Sequence, residues 1–169
     1  MQTRRTFNPK RRIAPRTSDL EALCQELLER VCYTGNPQHK RFPGDYGLLP
    51  PTDPRPGKTL CDATERILKG QALALLRSGL EHYMVSVQRY AGFPQNIWTV
   101  DEKNNVFEAQ LENRATGQYH GYPLPEADDF RKVVEKAWAE RSVVQGGSVD
   151  RAVAGASHGT SEGTGRCHW

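Results

Sequence analysis

No run in the sequence approaches the roughly 18 consecutive apolar residues of a membrane-spanning helix. The opening MQTRRTFNPKRRIAPR has the positive charge of a secretory leader but lacks the apolar stretch that must follow it. Cysteine is scarce: Cys24, Cys32, Cys61 and Cys167 form no C-x-x-C pair. That is too sparse for a zinc module or a disulfide framework, so the expectation is reduced thiols in a cytoplasm. A glycine-rich phosphate loop, a nucleophile elbow and a metal-ligand motif are also missing. These absences argue against the commonest small-molecule enzymes and predict neither a cofactor nor a metal.

What is present fits a single domain with tails, since 169 residues with 37% hydrophobic content can bury one core. The net charge of +3 hides an asymmetry. Residues 1–16 hold Arg4, Arg5, Lys10, Arg11, Arg12 and Arg16 with no acid, whereas residues 17–141 hold 15 basic and 18 acidic side chains. The first segment therefore reads as a disordered basic arm able to meet phosphates whatever their sequence context.

The domain is expected over 17–141. TSDLEALCQELLERVCY has Leu20, Leu23, Leu27, Leu28 and Val31 at helical spacing, with Thr17 or Ser18 as cap and Glu21 placed for a capping box. Residues 34–59 contain six prolines and four glycines, which excludes a helix or a central strand. Phe42, Tyr46, Leu48 and Leu49 can pin this stretch to the body, so an ordered wrap is expected. A second helix, CDATERILKGQALALLRSGLEHY, is capped by Asp62 or Thr64 and weakened at Gly70. The period then changes to two. YMVSVQR, NIWTVD, VFEAQLEN and GQYHGYPL read as four strands joined by turn-like segments. EADDFRKVVEKAWAERS is a third helix, and residues 142–169 form a Gly/Ser-rich tail predicted to be disordered. The fold class expected is α+β: two N-terminal helices, a four-stranded antiparallel meander, and a C-terminal helix, with the helices on one face.

Pairing the strands from their turns sets Asp101 opposite Val106, Thr99 opposite Glu108, Gln110 near His120 and Glu108 near Tyr122. Alternation then divides the sheet. Val85, Val87, Trp98, Val100, Phe107, Ala109, Leu111 and Tyr119 face the helices, while Ser86, Gln88, Thr99, Glu108, Gln110, His120 and Tyr122 face outward. On that outer face Glu108 and His120 are diagonal neighbours. A carboxylate beside an imidazole raises its pKa and prepares the pair for acid–base work. Tyr122 adds a hydroxyl and a stacking surface. Arg89 and Arg114 are candidates to hold a phosphate, joined by His39, Lys40 and Arg41 if the wrap crosses this face.

The stretch IWTVDEKNNVFEAQLENRATGQYHGYPL resembles the meander of the barnase–EndoU–colicin–RelE group of small ribonucleases, which cut RNA on an exposed sheet face. The resemblance spans about residues 60–125. It implies Glu108 as general base, His120 as general acid, and Arg89 or Arg114 as the phosphate clamp. The set GNPQHKRFPGDYGLLPP, TLCD, FPQNIW and YHGYPL also resembles small bacterial proteins. The function expected is thus nucleic-acid-related, with RNA ahead of DNA, in the form of a metal-independent ribonuclease of toxin type. Two alternatives stand beside it. One is a non-catalytic module binding nucleic acid or an acidic protein through the arm and the HKRF loop. The other is a regulator or neutralising partner, in a bacterial or phage system, that uses the sheet face or its edge.

Overall fold

The computed structural model describes residues 11–53, 56 and 66–146, except for the side chains of His39 and residues 144–146. The first helix, α1, spans Ser18–Leu27, and Thr17 caps it by accepting from the Leu20 N–H at 3.2 Å. Glu21 makes no capping box; it pairs instead with Arg16 at 2.6 Å. The helical stripe stops short of Val31, because Cys32–Tyr33 extends into a two-residue strand, β1. Two short turns follow, Pro37–His39 and Pro43–Tyr46, each opened by the proline whose fixed φ suits the first position. Helix α2 runs over Lys69–Glu81, so Gly70 lies at its start and not in its middle. The caps expected at Asp62 and Thr64 lie outside the described residues. A small hairpin, β2 (Arg89–Tyr90) with β3 (Phe93–Pro94), leads to β4 (Asn96–Val100), β5 (Val106–Asn113) and β6 (Gln118–Pro123). Helix α3 closes the order over Phe130–Gly146 and takes in the first five residues of the expected tail.

The fold is α+β, but its sheet is mixed. The order is β1-β6-β5-β4, with β1 parallel to β6 and the other pairs antiparallel. The fourth strand is thus Cys32–Tyr33, read from sequence as the end of a helix, and not YMVSVQR. Residues 84–87 make bridges along the free edge of β4, Val85 to Ile97, and the N-terminal segment makes the next row, Ile13 to Ser86. Ala14 N donates to Val85 O and Val87 N to Arg12 O, each at 2.8 Å. Residues 11–16 therefore belong to the body, where a disordered arm was expected; residues 1–10 lie outside the described residues.

The β5–β6 pairing follows the expected register at Glu108–Tyr122 and Gln110–His120, but a bulge after Leu111 sets Asn113 opposite Gln118, where Glu112 was expected. The β4–β5 pairing is displaced by one residue: Val100 faces Val106, and Trp98 faces Glu108. Asp101 causes the slip. Its carboxylate accepts from the backbone of Lys103 and Asn105 and from the Asn105 amide, and its N–H donates to Asn105 O, so it belongs to the turn and not the strand. One residue of slip moves a strand's side chains to the opposite face.

Both faces of the sheet are consequently covered. Ile97, Ala109, Leu111 and Tyr119 pack with Leu20, Cys24, Leu27, Leu76 and Leu80 of α1 and α2. Trp98, Met84, Val106 and Leu124 pack with Phe130 and Val134 of α3. The expectation that all helices share one face is corrected by this second core. Trp98 and Phe130 meet at 5.2 Å between ring centroids, and the His82 ring stacks on Trp138 at 3.9 Å. Arg141 of α3 binds the carbonyls of Tyr83 and, at 2.7 Å, Ala14, tying α3 to the turn after α2 and to the N-terminal segment.

The wrap is anchored at Tyr46, which is buried and donates to Ile67 O at 2.6 Å, and at Leu48; Phe42 and Leu49 stay exposed. Cys24 is free and buried, whereas Cys32 is disulfide-bonded to a partner outside the described residues. The expectation of reduced thiols throughout is corrected here, because pairing depends on closeness in space that cysteine spacing does not encode. Disulfides persist in oxidising surroundings, so the argument for a cytoplasm loses its basis. Among the described residues no helix is long and apolar enough to cross a membrane.

Two glycines of α2 separate propensity from packing. A Cβ on Gly79 would lie 2.6 Å from both Ile97 Cγ2 and the Trp98 carbonyl, whereas one on Gly70 would meet nothing within 4 Å. Alanine is the better helix former by ~1 kcal/mol. Gly70→Ala is accordingly expected to raise stability by up to about 1 kcal/mol. Gly79→Ala should lower it by about 2 kcal/mol as the helix is pushed off the sheet. Urea unfolding of the two variants checks the opposite signs.

Candidate functional site: an amide-lined cleft over a buried carboxylate

The α3 helix covers only one end of its face of the sheet. At the other end, side chains from β4, β5 and the β2–β3 hairpin leave a cleft of about 230 Å³, lined by Arg11, Gln88, Tyr90, Gln95, Asn96, Glu108 and Gln110. The hairpin turns up over the sheet because Ala91 and Gly92 both take positive φ, 51° and 85°, at its tip. Gln88 and Tyr90 point inward and are hydrogen-bonded to one another. Arg114, from the β5–β6 turn, lies over Tyr90 with its guanidinium carbon 3.8 Å from the ring centroid.

Glu108 is the floor of this cleft and is fully buried. Its Oε1 accepts from Asn96 Nδ2 at 3.0 Å, Gln110 Nε2 at 3.1 Å and Tyr122 OH at 2.7 Å. Its Oε2 accepts from Trp98 Nε1 at 2.9 Å and pairs with Arg11 Nε at 2.9 Å. Arg11 also reaches Asp128 Oδ2 at 2.7 Å, and the other oxygen of Asp128 accepts from the Phe130 N–H at the start of α3. Burial alone lowers the Arg11 pKa, but the charge of Glu108 and the bonds to Asp128 and Tyr122 outweigh it and hold the guanidinium more firmly charged than usual. Burial and the Glu108 charge push the Tyr122 phenol above its ordinary value, so it stays a neutral donor at physiological pH. Tyr122 OH also accepts from Gln110 Nε2 at 2.8 Å.

The residues expected to be catalytic are divided by this arrangement. Glu108 and Tyr122 do meet, but inside a network in which both carboxylate oxygens and the phenol already have partners. Glu108 and His120 do not pair. His120 sits opposite Gln110, with Glu108 and Glu112 two positions to either side on β5, and its Nδ1 lies 2.5 Å from Glu112 Oε2. The imidazole is 7% exposed, whereas the Glu112 side chain is 44% exposed. A bulge between Leu111 and Asn113 sets the end of the strand where Glu112 stands.

The expected phosphate-binding residues are spread more widely. Arg114 lies over Tyr90, one of the cleft's walls, without lining the cleft itself. Arg89 is exposed and alternates with Gln88 and Tyr90, so it points away. Its charge instead acts on Cys24, opposing the burial that pushes that thiol up to about 11. Lys40 is buried against Tyr33 and Tyr46 on the opposite face of the sheet. Arg41 is exposed beside the Phe42 ring, and the His39 side chain is outside those described. Thr99, expected outside, faces the helices.

Four cleft residues escaped the sequence reading: Arg11, Tyr90, Gln95 and Asn96. Arg11 looked like one more charge in a basic run. Asn96 heads a strand whose alternation, once Asp101 is assigned to the turn, places it beside Glu108. Among the described residues no group of three potential metal ligands occurs. Comparison of the chain with protein-family models, curated proteins and solved structures finds no significant match.

The network makes Glu108 a residue of the framework. Glu108→Gln places an amide N–H₂ among five donors and strips Arg11 of one counter-charge, which is expected to cost about 3 kcal/mol or more. Glu112→Gln, at a carboxylate that is largely open to solvent, should cost less than about 1 kcal/mol. Denaturant midpoints of the two variants measure the difference.

Proposed function

We propose that the protein is a binding module for single-stranded nucleic acid, RNA before DNA, with the amide cleft as its reading site. The observation that carries this reading is the Arg114–Tyr90 stack beside a cleft of amides and phenols. Its one charged pair is already neutralised internally. Such a lining suits the edge of an uncharged polar ring such as a nucleobase, since Gln and Asn present a donor and an acceptor side by side. Bases also stack on guanidinium planes and on tyrosine, and Arg114 offers both a plane and a charge for the adjoining phosphate. Donors and acceptors in the cleft can take a 2′-hydroxyl, which favours RNA. The basic run preceding Arg11 in the sequence (Arg4, Arg5 and Lys10) is joined to the chain at this cleft and adds a salt-dependent contribution.

A second reading, cleavage of RNA, is favoured by the contact between His120 and Glu112. There the Glu112 carboxylate would position the imidazole as an acid, and Glu108, the general base that the resemblance implies, would take the substrate proton. The closed network around Glu108 supports binding over this reading, because its carboxylate has no lone pair left for a substrate proton.

Fluorescence anisotropy with a short single-stranded RNA tests both. Binding is expected to weaken with rising salt, and Arg114→Ala and Tyr90→Ala should each weaken it about tenfold or more, the worth of one stacked base. His120→Ala should leave binding within about twofold. RNA bound no more tightly by wild type than by Tyr90→Ala overturns the module. Cleavage of the probe by wild type and not by His120→Ala or Glu112→Gln establishes the second reading in its place.

A further inference from the structure

We propose a second site on the opposite face of the sheet, for a small apolar monocarboxylate, between α2, strands β4 and β5, and the segment after β1. Two polar groups there lack the partners that burial ordinarily demands. Lys40 is 5% exposed, with its Nζ 3.3 Å from Tyr33 OH and 3.8 Å above the Tyr46 ring, and no carboxylate of the described residues is within ion-pair distance. Thr99 is 4% exposed, and its hydroxyl finds no hydrogen-bond partner. Both side chains line one cavity of about 30 Å³ whose other walls include Ile67, Leu75, Leu76 and Phe107.

A site that holds one water needs ~10–15 Å³ by this measure, so the cavity takes a group of about carboxyl size. Ile67, Leu75 and Phe107 also line an outer groove of about 460 Å³ between α2 and the β4–β5 turn, reaching Ala74 and Val100. The shared walls set inner cavity and outer groove side by side, and the proposed ligand spans both. An anionic head placed inside supplies the charge Lys40 lacks and accepts from Thr99 Oγ1, while an aliphatic or aromatic tail lies along Leu75 and Phe107. A cationic head in the inner cavity would meet the Lys40 ammonium, and a bare phosphate would leave the apolar walls of Leu75 and Phe107 unused. The sheet itself separates this site from the amide cleft, so neither proposal rests on the other.

Sodium octanoate is the probe, titrated calorimetrically into the full chain with octylamine, octanol and inorganic phosphate as controls. Saturable binding of octanoate alone, with a rise in Tm, is expected. Lys40→Met keeps the stem that packs on Tyr46 and removes a buried charge, so it should fold with an equal or higher Tm. Its affinity for octanoate should fall about tenfold or more, the worth of one charge-assisted hydrogen bond. Leu75→Trp, which fills the groove and leaves Lys40 in place, should lose octanoate as well and gives the same information if Lys40→Met is unstable. Absence of saturable binding, equal binding of octanol or octylamine, or an unchanged affinity in a folded Lys40→Met or Leu75→Trp overturns the proposal and leaves a hydrated cavity only. RNA binding measured on the same variants is expected to be unaffected.

Discussion

One carboxylate organises this protein. A charge as deeply buried as that of Glu108 costs several kcal/mol unless a counter-charge and hydrogen bonds satisfy it. Its five partners come from four places in the chain: Asn96 and Trp98 of β4, Gln110 of its own strand, Tyr122 of β6, and Arg11 from before the first helix. Each is thereby fixed in orientation, Trp98 by its indole N–H and Arg11 by a second grip on Asp128. The same group thus locks three strands in register, seats α3 through Asp128 and Phe130, and leaves a neutral hydrogen-bonding floor beneath the cleft.

How far this could be read in the sequence depended on whether the determining contact was local. The alternation in VFEAQLEN and QYHGYP gave the β5–β6 register correctly up to the bulge after Leu111, because a short turn fixes it and hydrophobic residues mark one face. The β4–β5 register failed by one residue at Asp101, whose strand-like place in the pattern gave no hint that its carboxylate would organise the turn. That error had consequences for the site. It put Trp98 on the wrong face and Thr99 beside Glu108, and so left the glutamate looking exposed and available for His120. A parallel pairing of Cys32–Tyr33 with β6 was invisible for a different reason: two residues carry no period, and a stripe of leucines runs almost up to them. Arg11 was illegible for a third reason, since one arginine in a basic run is distinguished only by a partner 97 positions away in the chain.

The two faces of the sheet then differ in chemistry. Toward α1 and α2 the surface is apolar, and its exceptional members are the ammonium of Lys40, set among tyrosine rings, and the hydroxyl of Thr99. Toward the hairpin it is amide and phenol over an internally neutralised ion pair. Among the described residues both long edges of the sheet are at least partly covered. Residues 84–87 and then 12–14 continue it past β4, and β1 ends it after two residues. Short and covered edges disfavour recruitment of another strand.

The row formed by residues 12–14 has a bearing on how the chain assembles. These residues are made well before their partners: the backbone that pairs with them follows some seventy residues later, and the carboxylates that hold Arg11 are made later still. Contacts so distant in sequence form slowly, since a large loop must close before they contribute. The nascent domain therefore carries this segment unpaired until the later strands have emerged, and its docking brings the guanidinium that makes the buried anion tolerable.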